Sequence, residues 1–160
     1  MPKLIIAIVG GTILIAALII FIPSLKPSTG GVIEINPQDF DAGDVSMAQG
    51  LVKKTYEVKN VGSGPLKISN IETSCDCTSA TLRIGEKVSP KFSMPMGPGT
   101  NNAFWSEILQ SGEMGELEVI FDPAFHGPHG TGPIVRGIYI STNDPKNKRF
   151  EIKLSANVLP

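Results

Sequence analysis

The chain has 160 residues, room for one ordinary domain and an extra segment. Charged residues make up 18% and the net charge is −1; Lys3 and Lys26 are the only charges before residue 31, so the remainder carries 12 basic and 15 acidic side chains, or −3. That balance provides no basic face for nucleic acid, and 17 glycines and 13 prolines falling between short apolar runs favour a β domain with many turns over a helical bundle.

Leu4 to Ile22 reads LIIAIVGGTILIAALIIFI, 19 residues without a charge. As a helix rising 1.5 Å per residue it is long enough for a hydrocarbon core of about 30 Å. A cleaved signal peptide would have a shorter apolar core and an Ala-x-Ala-like site after it. Here Pro-Ser-Leu-Lys-Pro follows, and no cysteine adjoins the span for lipoprotein processing. The expectation is an uncleaved signal anchor over residues 1–25. The amine and Lys3 precede the span and Lys26 follows it, so the positive-inside bias places the N-terminus in the cytoplasm. The rest would lie outside the cytoplasmic membrane, periplasmic or at the cell surface. Gly10-Gly11 forms no GxxxG pattern and is read as two glycines tolerated in a lipid-facing helix.

Residues 26–31, KPSTGG, read as a short flexible linker. A domain over residues 32–160 follows, marked by period-two alternation. Val32–Ile35 and Phe40–Val45 suit edge strands. Val52, Tyr56 and Val58 mark a further strand, and Leu66 and Ile68 start another. Leu117, Val119 and Phe121 point inward, with Glu116 and Glu118 outward. Ile134, Ile138 and Ile140 form a stripe that Arg136 interrupts. Phe150, Ile152, Leu154, Ala156 and Val158 share one face of the last strand. Gly62-Ser-Gly-Pro65, Asp122-Pro123 and Asn143-Asp-Pro145 supply turns. About seven strands so spaced predict an all-β, immunoglobulin-like Greek-key sandwich. Residues 93–115 are too long for a hairpin turn; a helical turn at most is expected over 104–109, with Phe104 and Trp105 closing one end of the sandwich.

Several segments recur in a known order: Phe40-Asp-Ala-Gly-Asp-Val45, Tyr56-x-Val-x-Asn-Val-Gly62, Pro65-Leu66, Ile71-x-Thr-Ser-Cys-Asp-Cys-Thr78, Phe121-Asp-Pro123 and Ser141-x-Asn-Asp-Pro145. Together they resemble a bacterial family of uncharacterised extracytoplasmic proteins with a Ser-Cys-x-Cys-Thr motif. Its domain is related to the Ig-like domains of Hydin and abnormal-spindle proteins. The resemblance covers residues 32–159 and implies an Ig-like sandwich without an established activity. The family pattern commonly has Gly between the cysteines, where this chain has Asp76.

Cys75 and Cys77 are the only cysteines. If the strand from Leu66 keeps its register, Ile71, Thr73, Cys75 and Cys77 share a face. Three readings stand. Two thiolates at i and i+2 can clamp a soft ion: thioether partners suit Cu(I) and imidazole partners suit zinc. The candidate further ligands are Met94 and Met96, as Met-x-Met, and His126 and His129, as His-x-x-His. A redox pair is less well served, because Cys-x-Cys lacks the helix N-terminus that lowers a thiol pKa, and Asp76 opposes ionisation. A disulfide at this spacing closes a very small ring that is easily reduced. In the third reading both are small apolar side chains at a strand end. No nucleophile elbow, phosphate loop or zinc-protease helix is present, so no enzyme is expected. Lys146, Lys148 and Arg149 read as a solvated guard on the edge of the last strand. The leading expectation is a membrane-anchored extracytoplasmic domain serving protein interaction or envelope structure, with Phe104, Trp105, His126 and His129 as its candidate interaction surface and no cofactor; the alternative is a copper or zinc site on Cys75 and Cys77.

Overall fold

The structure, a computed structural model, describes residues 30–95 and 104–160. The expected anchor, most of the linker and Met96 lie outside the described residues. Among the described residues no helix is long and apolar enough to cross a membrane.

Among the described residues, ten strands form two five-stranded sheets. In chain order they are β1 (Ile33–Ile35), β2 (Asp39–Ser46), β3 (Val52–Asn60), β4 (Leu66–Thr73), β5 (Thr78–Ile84), β6 (Lys87–Val88), β7 (Glu107–Leu109), β8 (Met114–Phe121), β9 (Gly132–Thr142) and β10 (Arg149–Leu159). One sheet runs β1-β3-β8-β5-β6 and the other β2-β10-β9-β4-β7. Seven of these have seven residues or more; six of the seven were expected, β5 was not, and β1, expected as an edge strand, is with β6 and β7 a short addition at a sheet edge. Pairing is antiparallel except that β2 lies parallel to β10, with a register shift between Ser155 and Asn157.

Alternation decides what is buried. Leu117, Val119 and Phe121 of β8 face Tyr56 and Val58 of β3 and Leu82 of β5 on one inner surface. Ile138 and Ile140 of β9, Ile152 and Leu154 of β10, and Leu66, Ile68 and Ile71 of β4 form the other. These side chains are essentially solvent-free, and a Leu or Ile so buried contributes roughly 1.5–3 kcal/mol.

Three expectations need correction. Residues 107–109 form β7, not a helical turn: Leu109 pairs with Leu66 and is fully buried, while Ile108 faces out. The strand from Leu66 stops at Thr73, so Cys75 and Cys77 occupy a turn rather than one strand face. The 146–149 cluster does not guard an edge, because β10 lies between β2 and β9; Arg149 instead stacks on Tyr139, its Cζ 4.0 Å from the ring centroid, and reaches Glu72 at 3.5 Å.

Two polar side chains tie down the pole where the described chain begins. Buried Asn60 accepts from Val32 N (3.1 Å) and Gly62 N (3.0 Å) and donates to Gly64 O (2.8 Å) and Leu109 O (2.9 Å), so its amide is fully used. Gly62 is required there, since a Cβ would collide with the backbone of Gly30 and Val32. Asp144 accepts from Ile33 N at 3.2 Å, Lys146 N at 2.8 Å and Asn147 Nδ2 at 3.2 Å. Burial alone would push its carboxyl up, but these donors outweigh it and hold the group below the usual carboxylate range.

Candidate metal centre

The opposite pole carries the cysteines. β4 ends at Thr73 in one sheet and β5 starts at Thr78 in the other, so the Ser74–Cys77 turn crosses between sheets. Thr78 N donates to Cys75 O at 3.0 Å, and the Thr73 hydroxyl lies within donating distance of Cys75 O (2.9 Å) and Thr78 O (3.0 Å). Ser74 N donates to Gly137 O and Gly137 N to Ser74 Oγ, both at 2.9 Å, which locks the turn to β9. Asp122 N donates to Cys77 O at 2.8 Å and ties it to the end of β8.

Within this frame Cys75 and Cys77 are joined as a disulfide, with Cα atoms 5.2 Å apart. Cys77 is 2% exposed, whereas Cys75 is half-buried. The two positions therefore differ in access although one residue separates them.

His126 arrives from the connection after β8. Asp122 Oδ1 accepts from Ala124 N (2.9 Å), and Gly127 N donates to Ala124 O (2.9 Å), turning the chain back over the cysteines. Gly127 has φ +65°, a conformation that suits glycine, and a Cβ on Gly130 would lie 2.9 Å from His126 Cβ. His126 Nε2 lies 3.2 Å from Cys75 Sγ. The ligand atoms of Cys75, Cys77 and His126 all fall within 4.8 Å of one another. Two ligands bound to one ion at about 2.0–2.3 Å each can be separated by at most roughly 4.6 Å, so with the disulfide opened a small closure would let the three share an ion.

Arg136 completes the site. Ile134, Arg136, Ile138 and Ile140 occupy alternate, core-side positions of β9, and Arg136 lies at the open end, where its Nε donates to Cys77 Sγ at 3.1 Å. Its Nη1 donates to Val135 O at 3.2 Å. Burial draws its guanidinium below its ordinary value, which still leaves it charged at neutral pH. The sequence signal was the charge breaking an apolar stripe, and its partner was not evident from sequence.

His129 is exposed and outside the three-residue cluster. Met94 is 36% exposed, beside Ser93, whose carbonyl accepts from Thr73 N at 3.3 Å. Trp105 is half-buried and packs edge-on against Phe92 at 5.0 Å between centroids, so its ring serves the fold. Phe104 is fully exposed.

Residues 33–90 match the model of a family described as "Protein of unknown function (DUF1573)". No curated protein matches the chain. Among solved structures, a protein of unknown function from Porphyromonas gingivalis W83 is 23% identical, with a TM-score of 0.58 over 86% of this chain and 51% of that one. This chain thus spans about half of that protein. A family 123 glycoside hydrolase from Clostridium perfringens is 10% identical, with a TM-score of 0.51 over 81% of this chain and 27% of that one. The ASH/PapD-like domain 7 of human CEP192 is 14% identical, with a TM-score of 0.47 over 83% and 87% of the two chains. The first two likenesses establish a shared β-sandwich fold and nothing about activity. The chain carries an all-β sandwich of two five-stranded sheets, and the family model it matches over residues 33–90 has no described function.

Proposed function

We propose that this domain binds a soft metal ion, Cu(I) fitting best, through the thiolates of Cys75 and Cys77 and the imidazole of His126 once the disulfide is reduced. The observation that carries the reading is His126 Nε2 at 3.2 Å from Cys75 Sγ, within a three-ligand group spanning 4.8 Å. Thiolate and imidazole together suit copper and zinc. Charge favours the monovalent ion: two thiolates are balanced by one Cu(I) and the Arg136 guanidinium on Cys77. A divalent ion would leave excess positive charge, and zinc in a structural site would seek a fourth ligand.

His126 is exposed and Cys75 half-buried, so the ion would sit where it can be exchanged. That suits handling and transfer of metal more than permanent structural use. The reading places the domain outside the cytoplasmic membrane, held by residues 4–22. The uncharged span supports this placement, as does the disulfide, a bond that persists in oxidising compartments. The described chain begins beside Leu66 and Asp144, and β4 runs from there to the cysteine turn, roughly 25 Å at the usual rise per residue. The cysteine turn thus lies at the end of the domain opposite residue 30.

The test is a competition titration of the reduced full chain in detergent with Cu(I) and a chromophoric chelator. One equivalent should bind, and Cys75→Ser should abolish stoichiometric binding. Absence of binding at micromolar metal retires the reading. A protein-interaction role is favoured by one feature, the fully exposed ring of Phe104; capture of a partner lost in Phe104→Ser but indifferent to reduction would support it.

A further inference from the structure

The geometry points to a directional thiol–disulfide exchange at this pole: an external dithiol attacks Cys75, and Cys77 leaves. The inference rests on the metal reading for its purpose, since the bond between the two sulfurs must open before either can bind an ion. Cys77 is 2% exposed, whereas Cys75 is half-buried. A thiolate approaching from solvent therefore meets Cys75 Sγ first. Attack in line with the S–S bond pushes charge onto the opposite sulfur, and there Arg136 Nε–H already donates at 3.1 Å. A guanidinium hydrogen bond to a sulfur gaining charge is stronger than one to the neutral disulfide, so it favours this direction over the reverse.

The step balances as follows. The reductant's thiolate forms a bond to Cys75 Sγ, the Cys75–Cys77 bond breaks, and its electron pair goes to Cys77 Sγ. The reductant's second thiol, after losing its proton, then attacks its own sulfur in the mixed disulfide. This frees Cys75 as a thiolate and leaves the reductant as a cyclic disulfide. Two electrons have passed from the dithiol to the protein, and the dithiol's two protons go to the new thiolates or to water. The co-reactant class is a dithiol, such as a protein carrying a vicinal cysteine pair.

The test uses the oxidised full chain and no metal. The protein is exposed to glutathione in the presence of iodoacetamide, and the peptide holding both cysteines is fragmented in a mass spectrometer. The expected product carries glutathione on Cys75, with Cys77 either free or carbamidomethylated. Glutathione on Cys77, or an even mixture, overturns the proposal. In parallel, Arg136→Met should slow reduction by dithiothreitol about tenfold, the weight of one charge-assisted hydrogen bond in a transition state, while Arg136→Lys recovers part of the rate. Unchanged rates in both variants would remove Arg136 from the step. Failure of copper binding leaves the labelling result intact, and a Cys77 adduct leaves the metal reading intact, so the two ideas fail separately.

Discussion

His126 Nε2 and Cys75 Sγ lie 3.2 Å apart although 51 residues separate them in sequence. Two independent loops meet there: the β4–β5 turn that crosses the sheets and the glycine-rich connection after β8. Removing the imidazole should weaken Cu(I) binding by the reduced chain by at least about tenfold, the lower end of what loss of even an outer-shell partner costs a metal site. His129→Ala should change affinity little, since His129 is outside the cluster. Equal losses in the two variants, measured by chelator competition, would break the assignment.

At the other pole, Asp144→Asn should destabilise the domain. The carboxylate takes hydrogen bonds from Ile33 N, Lys146 N and Asn147 Nδ2, and an amide replaces one acceptor with a donor. A loss of about 2–4 kcal/mol in denaturant unfolding is expected. Because the folded carboxyl sits below its ordinary value, its stabilisation is present above about pH 4 and disappears as pH falls through the folded value. Wild type should therefore lose stability in acid more steeply than the variant.

Tyr56 gives the opposite sign. Its hydroxyl is buried without a hydrogen-bond partner among the described residues. Burial, with the Asp39 charge second, pushes the phenol up to about 12. A raised folded value means that stability is intact below pH 10 and declines between about 10 and about 12. Tyr56→Phe should match or exceed wild type at neutral pH, by up to about 1 kcal/mol, and decline less at alkaline pH. Thermal melts at pH 7 and 11 compare the two.

Trp105→Ala tests whether that ring belongs to the fold. Its edge-on contact with Phe92 predicts a loss of about 2 kcal/mol for a half-buried ring, with copper binding unchanged. Unaltered stability together with loss of a captured partner would return Trp105 to the interaction surface.

The sandwich was legible because alternation is a local property of each long strand. Phe150 to Val158 and Leu117 to Phe121 announce their buried faces directly. β7 was not legible: three residues in a stretch rich in Gly, Asn and Met acquire strand structure only by pairing Leu109 with Leu66, 43 residues away. The cysteine pair was legible as a candidate by residue type. Its placement was not, because the strand ends at Thr73 and the turn that follows is fixed by hydrogen bonds to Gly137 and Asp122, which no local pattern encodes. Arg136 announced itself as a charge in an apolar stripe, but its partner Cys77 lies 59 residues away across the sandwich.

The most direct measurement is copper K-edge X-ray absorption on the reduced, Cu(I)-loaded full chain. The account predicts a three-coordinate ion with two sulfur neighbours and one imidazole nitrogen, the nitrogen signal disappearing in His126→Ala. A shell without sulfur, or an imidazole signal that persists in His126→Ala, would contradict it.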